Sequence, residues 1–247
     1  MTGMGATEQV QTGPARHRTV PAARAAADAA RAQVIARAGG YDAFEDLGRV
    51  RLSRHFFLRN FLNSELSNYW AVPNMPEDRA TLIAAGRGLA TEILDPLFET
   101  FGQIEIRSGY RGPELNAFGA AHAPRQQCAR NDANRAGHIW DMSDAEGRLG
   151  ACVSLVIPWF ADRYGAGRDW RDLAWWIHDH LPHSGLYFFP KLAAFNVGWS
   201  EAPEPWIMSY VAPKGALLGR GEVPREDAEG RRQRYMDFPP FRGIDLP

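Results

Sequence analysis

Leu82, Ile83, Gly86, Leu89, Ala90, Ile93, Leu94 and Leu97 recur at three- and four-residue steps behind Pro76-Glu77-Asp78. That spacing predicts a helix with one apolar face, and such a face needs a surface to cover it. The surface is supplied further along. Ala151-Cys152-Val153-Ser154-Leu155-Val156-Ile157-Pro158 is an unbroken apolar run, short enough for a buried strand. Ile104-Glu105-Ile106-Arg107 alternates as a strand does and is broken by Gly109 and Gly112-Pro113. Leu186 to Phe189 and Trp206 to Val211 are further strand candidates. Asn60 to Glu65 reads as a short helix, Asn68 to Pro76 as a loop, and Ala117 to Arg135 as a helix with a long polar loop. Asp169 to His180 reads as a helix stopped by Pro182. Helices packed on strands in this order define one α+β domain.

The domain is expected over residues 43–218. Residues 1–42 form an Ala/Arg-rich extension, a disordered tail running into an Ala-rich helix over 21–38 that Gly39-Gly40 ends. An Arg-rich, acid-poor start is also compatible with a transit-type peptide. Residues 219–247 are charged and then Pro-rich, a tail that wraps the surface or stays flexible. The net charge of −1 gives no support to nucleic-acid or membrane-surface binding. There is no apolar stretch long enough to span a bilayer and no apolar core of a secretory signal, so a cytoplasmic protein is expected. Cys128 and Cys152 are expected as free thiols, Cys152 buried.

Two motifs carry the chemistry. Arg107-Ser108-Gly109-Tyr110-Arg111 follows the first strand, and Gly137-His138-Ile139-Trp140-Asp141-Met142 comes a loop's length later. With His55-Phe56-Phe57 through Ser64, Val72-Pro73-Asn74, Ile93-Leu94-Asp95-Pro96-Leu97 and Asn116, they resemble the M15 zinc D,D-peptidases, the D-alanyl-D-alanine carboxypeptidases and phage endolysins of that type. The resemblance runs from about residue 50 to residue 215. It implies a small antiparallel sheet packed with helices. It also implies that Arg111 stabilises the negative charge on an attacked carbonyl, with Ser108 and Tyr110 beside it at the substrate.

The ligand pattern departs from the family's. There, His, two residues, Gly, three residues and Asp supply two zinc ligands. Here Gly137 and Asp141 fit, but Asn134 holds the histidine's place. The third family ligand is a histidine on a late strand, where this chain has Ala194-Phe195-Asn196-Val197-Gly198-Trp199-Ser200. Asn196 or Ser200 takes that place. Zinc favours imidazole, thiolate and carboxylate over a carboxamide or hydroxyl. A rewired metal set would combine His138, Asp141 and His180, or His178 in place of His180, because on a helix those two point about 200° apart. Without metal, His138 and Asp141 suggest a general base oriented by a carboxylate. Asn134, Asn196 and Ser200 would then hydrogen-bond a substrate amide or carboxylate. Asp132 and Asp179 are further candidates. Trp175-Trp176 predicts one indole in the core and one at a pocket or partner.

These features support three expectations. The first is an enzyme on an M15-like scaffold with an altered metal site, acting on a short peptide or an amino-acid-derived small molecule. The second is an active zinc D,D-carboxypeptidase or endolysin. The third is a non-catalytic peptide-binding protein.

Overall fold

A computed structural model describes residues 39–121 and 128–243, with isolated helical positions between 25 and 36. Most of the Ala-rich segment expected as a helix over 21–38 lies outside the described residues.

The architecture is α+β. Helices α1 (Gly40–Gly48), α2 (Arg59–Leu62) and α3 (Glu65–Trp70) lead into α4 (Arg79–Leu89), a wider π-type turn (Ala90–Leu94) and α5 (Asp95–Phe101). Strand β1 (Glu105–Ser108), α6 (Pro113–Ala121), α7 (Asn131–Asn134), β2 (Gly150–Val156), α8 (Pro158–Gly165) and α9 (Trp170–His180) follow. The chain continues through β3 (Gly185–Phe188), β4 (Phe195–Ser200), β5 (Trp206–Ser209), β6 (Gly215–Leu218) and α10 (Ala228–Arg234). The strands form one six-stranded sheet in the order β1-β2-β4-β3-β5-β6. The expected all-antiparallel arrangement is corrected at one place, because β3 and β5 run parallel. The Phe195–Ser200 strand reverses the chain between them, so the third and fifth strands share a direction.

Local chemistry sets the long helix. The Asp78 carboxylate accepts from the backbone N–H groups of Ala80 and Thr81 and starts α4. Pro96 lacks an N–H and its ring crowds the carbonyl one turn back, which accounts for the widened turn at 90–94. Beside Pro96, the buried Asp95 carboxylate accepts from the Ser53 hydroxyl at 2.8 Å and from the N–H groups of Arg54 and His55. That contact ties the entry loop to the helix.

The core lies between the α4–α5 helix and one sheet face. On β2, Ala151, Val153 and Leu155 are buried; on β4, Phe195, Val197 and Trp199 are. The intervening residues, Cys152, Ser154, Asn196, Gly198 and Ser200, are partly open on the opposite face. Period-2 alternation with one buried face is the expected behaviour of antiparallel strands.

Trp175 and Trp176 are both buried, against the expectation that one would be left at a pocket or partner. The C-terminal segment supplies the second surface. Phe238 and Phe241 reach the Phe101–Trp176 cluster, and Arg231 lies 5.5 Å over Trp175. The segment is held by Asp179, which accepts from Arg231 at 2.7 Å and from the Tyr235 hydroxyl at 2.8 Å, and by Arg168, which bridges Asp172 and Asp237.

The helix–sheet contact is closest at Gly88, where a β-carbon would sit 2.2 Å from the Trp199 indole. Gly88→Ala is therefore expected to destabilise the fold by about 1–3 kcal/mol through overpacking, despite alanine's better helix propensity. A urea-denaturation midpoint equal to or above the wild type would refute this packing.

Candidate functional site

The open face of the sheet floors a cleft of about 500 Å³. Its lining includes Asn134, Gly137 and His138 from the loop before β2, Cys152 from β2, Asn196, Gly198 and Ser200 from β4, and Tyr187 and Trp206 from β3 and β5. Register explains the grouping. Cys152 pairs with Gly198, Ser154 with Asn196 and Gly150 with Ser200, so the polar residues of β4 emerge beside the open-face residues of β2. Asn196 is fixed by a very short hydrogen bond from the Ser154 hydroxyl.

The Ser-Gly-Tyr-Arg segment approaches the cleft from beneath. Gly109 packs so closely on Phe61 that a β-carbon would lie 2.8 Å from the Phe61 carbonyl oxygen. Buried Asn74 clamps the segment, donating to the carbonyls of Leu62 and Tyr110 and accepting from the Gly112 N–H. The Arg111 N–H donates to the His138 carbonyl at 2.8 Å, and the Cys152 N–H donates to the Gly137 carbonyl at 2.9 Å. Gly137 and His138 are thereby held between the motif and the sheet.

Arg111 does not itself line the cleft and lies behind its Asn134 wall. Its guanidinium donates to the Asn116 carboxamide oxygen at 3.1 Å and contacts the Cys128 sulfur at 3.4 Å. Asn134 donates to that same Asn116 oxygen at 2.8 Å, which links Arg111 to the cleft wall. Among the described residues no carboxylate lies within ion-pair distance of Arg111. A half-buried guanidinium without a counter-charge is costly to the fold and leaves a positive potential for an anionic or developing-anionic ligand group.

His138 feels that charge. Burial, and then Arg111, hold its pKa down to about 4, so the ring is neutral at neutral pH. Its Nδ1 faces the Gly109 carbonyl at 3.1 Å, which places the proton on Nδ1 and leaves the Nε2 lone pair free. Burial pushes the Cys152 thiol up to about 12, so it is no nucleophile at neutral pH.

Asp141 behaves differently from expectation. One carboxylate oxygen accepts from the Glu77 N–H at 2.7 Å and more weakly from the Asp78 N–H at 3.4 Å, ahead of α4. The Tyr110 hydroxyl donates to the Met75 carbonyl at 3.3 Å, and burial raises the Asp141 pKa. The other oxygen, Oδ1, is buried without a partner. Asp141 does not line the cleft, and the carboxylate expected to orient His138 is replaced by the Gly109 carbonyl. Tyr110 is a core residue, stacked edge-on near Trp140, and Ser108 lies at the bulged end of β1 opposite Ser154. Neither lines the cleft.

His180 is also elsewhere. It stacks on Trp176 at 4.7 Å, its Nδ1 meets the Trp176 carbonyl, and Tyr235 and Phe241 cover it. His178 instead meets the buried His183 at 3.1 Å. Asp179 holds the C-terminal helix, and Asp132 forms an exposed pair with Arg130. Among the described residues no group of three or more His, Cys, Asp or Glu side chains could hold a metal ion. Around His138 the cleft offers the carboxamides of Asn134 and Asn196 and the Ser200 hydroxyl, a donor set that does not fit zinc, while its carboxylates, Asp144, Glu146 and Glu204, lie against Arg148 and Arg220.

Tyr187, Trp206 and Arg220 were not anticipated in the cleft. Asn196 and Ser200 on the β4 floor were anticipated through the family resemblance, which places a late-strand ligand there. Arg220, in the segment read as a tail, carries no comparable signal. Compared with protein-family models, curated proteins and solved structures, the chain matches none. Among the described residues no helix is long and apolar enough to cross a membrane.

The titration of the half-buried His138 and the buried His183 gives a pH dependence. His138 and His183 are held down to about 4 and about 3 by burial, from an ordinary value of 6.5. As pH falls through 6.5, the unfolded chain takes up protons that the folded chain refuses. Stability is therefore expected to fall between about pH 6.5 and pH 4, and His138→Gln should flatten that slope. Chemical denaturation at several pH values reads it; an unchanged slope in the variant would count against a neutral, half-buried His138.

Proposed function

We propose that the chain is an M15-like protein in which an arginine-backed, amide-lined cleft has replaced the zinc site, and that the cleft takes a short peptide or an amino-acid-derived small molecule. One observation carries the reading. Arg111, with no carboxylate partner among the described residues, stands behind a cleft lined by His138, Cys152, Asn134, Asn196 and Ser200, joined to its wall through Asn116 and Asn134 and close enough for its charge to act on His138 and Cys152. Carboxamides and a hydroxyl match both the donors and the acceptors of a peptide group. The guanidinium matches a carboxylate or a carbonyl oxygen gaining charge. The family resemblance sets the scaffold, and the site sets the chemistry.

The free Nε2 of His138 beside Arg111 favours a hydrolytic form of this reading over passive binding. A water hydrogen-bonded to Nε2 would add its oxygen to the amide carbon and give its proton to His138. The resulting oxyanion would face Arg111. As the carbon–nitrogen bond breaks, His138 would return the proton to the leaving nitrogen. At a pKa of about 4 His138 is a weak base in the empty cleft, and an anionic ligand close by would raise it.

Arg111→Gln separates function from folding. Removing an unpaired, half-buried charge is expected to leave the melting temperature unchanged or raised. Affinity for N-acetylated dipeptides with a free carboxylate should fall about tenfold or more, the loss of a charge-assisted hydrogen bond worth about 1.5–3 kcal/mol. Calorimetric titration and thermal melts read the two effects, and chelator treatment should alter neither. Unchanged dipeptide affinity in Arg111→Gln would overturn the proposal, as would chelator-sensitive binding.

A further inference from the structure

We infer that the cleft contains a ring subsite over Gly198, so that its ligand carries a flat aromatic side chain next to the amide held by Asn196 and Ser200. This inference rests on the proposed short-peptide reading and narrows its substrate class.

The sheet register builds the subsite. Across the open face, Cys152, Gly198, Gly185 and Trp206 stand in one row, because Cys152 pairs with Gly198, Leu186 with Val197, and Gly185 with Trp206. The next row is Ser154, Asn196, Tyr187 and Met208. The first row crosses three strand spacings, roughly 14 Å. Two consecutive members of it have no side chain.

The two glycines differ in what stands above them. A β-carbon on Gly185 would lie 2.5 Å from the Trp206 indole, so the indole already covers that backbone. A β-carbon on Gly198 would meet nothing nearer than 3.6 Å. The space over Gly198 is therefore a slot closed by the edge of Trp206 at one end and Cys152 at the other, with Asn196 and Ser200 along the strand.

Its closed end is aromatic beyond packing need. Tyr187 lies 6.3 Å from Trp206 edge-on and 4.7 Å from Tyr210, and Phe189 stacks on Tyr187 at 5.7 Å. Tyr210 remains 53% exposed, so this row is a surface and not core. Arg220 sits 5.1 Å over the Trp206 ring and helps fix its orientation. Burial, with Tyr210, pushes the Tyr187 hydroxyl up to about 12, so it stays a neutral donor at the slot's margin. A bare peptide floor between an indole edge and amide walls favours a planar ring over a branched aliphatic group.

The test compares N-acetyl-alanyl-tyrosine with N-acetyl-alanyl-alanine by calorimetric titration of the full chain, in both stereochemical series. The tyrosine compound is expected to bind roughly tenfold tighter. Trp206→Leu should abolish that preference. Gly198→Val, whose side chain enters open space on a strand that tolerates it, should fold normally by circular dichroism and lose the tyrosine preference. Equal affinities in the wild type, or a preference that survives Gly198→Val, would overturn the ring subsite and leave the short-peptide reading standing. Failure of both compounds to bind the wild type would overturn both.

Discussion

A one-residue slip of β2 against β4 would put Val153 and Leu155 over the cleft and turn Cys152 and Ser154 toward the α4 helix. The pairing of Cys152 with Gly198 and of Ser154 with Asn196 is therefore the constraint on which both core and site depend. The core enforces it. Trp199 and Phe195 fill space that α4 leaves for them, and Gly88 is shaped to the Trp199 ring. The chemistry of the open face thus inherits its geometry from packing on the buried one.

Onto this floor the two sequence motifs are fastened by backbone hydrogen bonds more than by side chains. Arg111 bonds the His138 carbonyl, Cys152 the Gly137 carbonyl, and Gly109 offers its carbonyl to the His138 ring. Side chains are then free to face a ligand. Asn116 stands at the centre of what remains, accepting from both Arg111 and Asn134 while donating to the Ala129 carbonyl and to Asn131. A neutral hub of this kind orients a guanidinium without neutralising it, which a carboxylate in the same position would do.

Much of the scaffold was legible because it rests on periodicity. The helix from Asp78, the strands at Glu105, Gly150, Gly185 and Trp206, and the helix stopped before Pro182 follow from apolar spacing and from proline. The parallel β3–β5 pair was not legible, since pairing order depends on contacts between distant segments. The burial of both Trp175 and Trp176 was hidden for the same reason: its cause is a C-terminal segment whose own composition reads as a polar tail. In the site, Asn134, His138, Asn196 and Ser200 were proposed together from their positions in the motifs of the family resemblance. Tyr187 and Trp206 were read as strand residues and Arg220 as part of the tail, because sequence gives no measure of which strands adjoin.

Asp141 has a structural task. A carboxylate in a metal site is stabilised by the cation it binds, and one buried without a cation needs other donors. Here two N–H groups of the segment entering α4 take that role for one oxygen, and Oδ1 is left without a partner. The carboxylate thereby joins its own motif to the start of the long helix. Behind the Asn134 wall Arg111 adds positive charge, and a guanidinium is directional where a metal ion is not. It can meet a carboxylate or a carbonyl oxygen along its N–H bonds, but it cannot acidify a bound water as zinc does. Any hydrolysis in such a cleft must draw its nucleophile from a base, and His138, with its lone pair directed away from the Gly109 carbonyl, is the group placed to supply it.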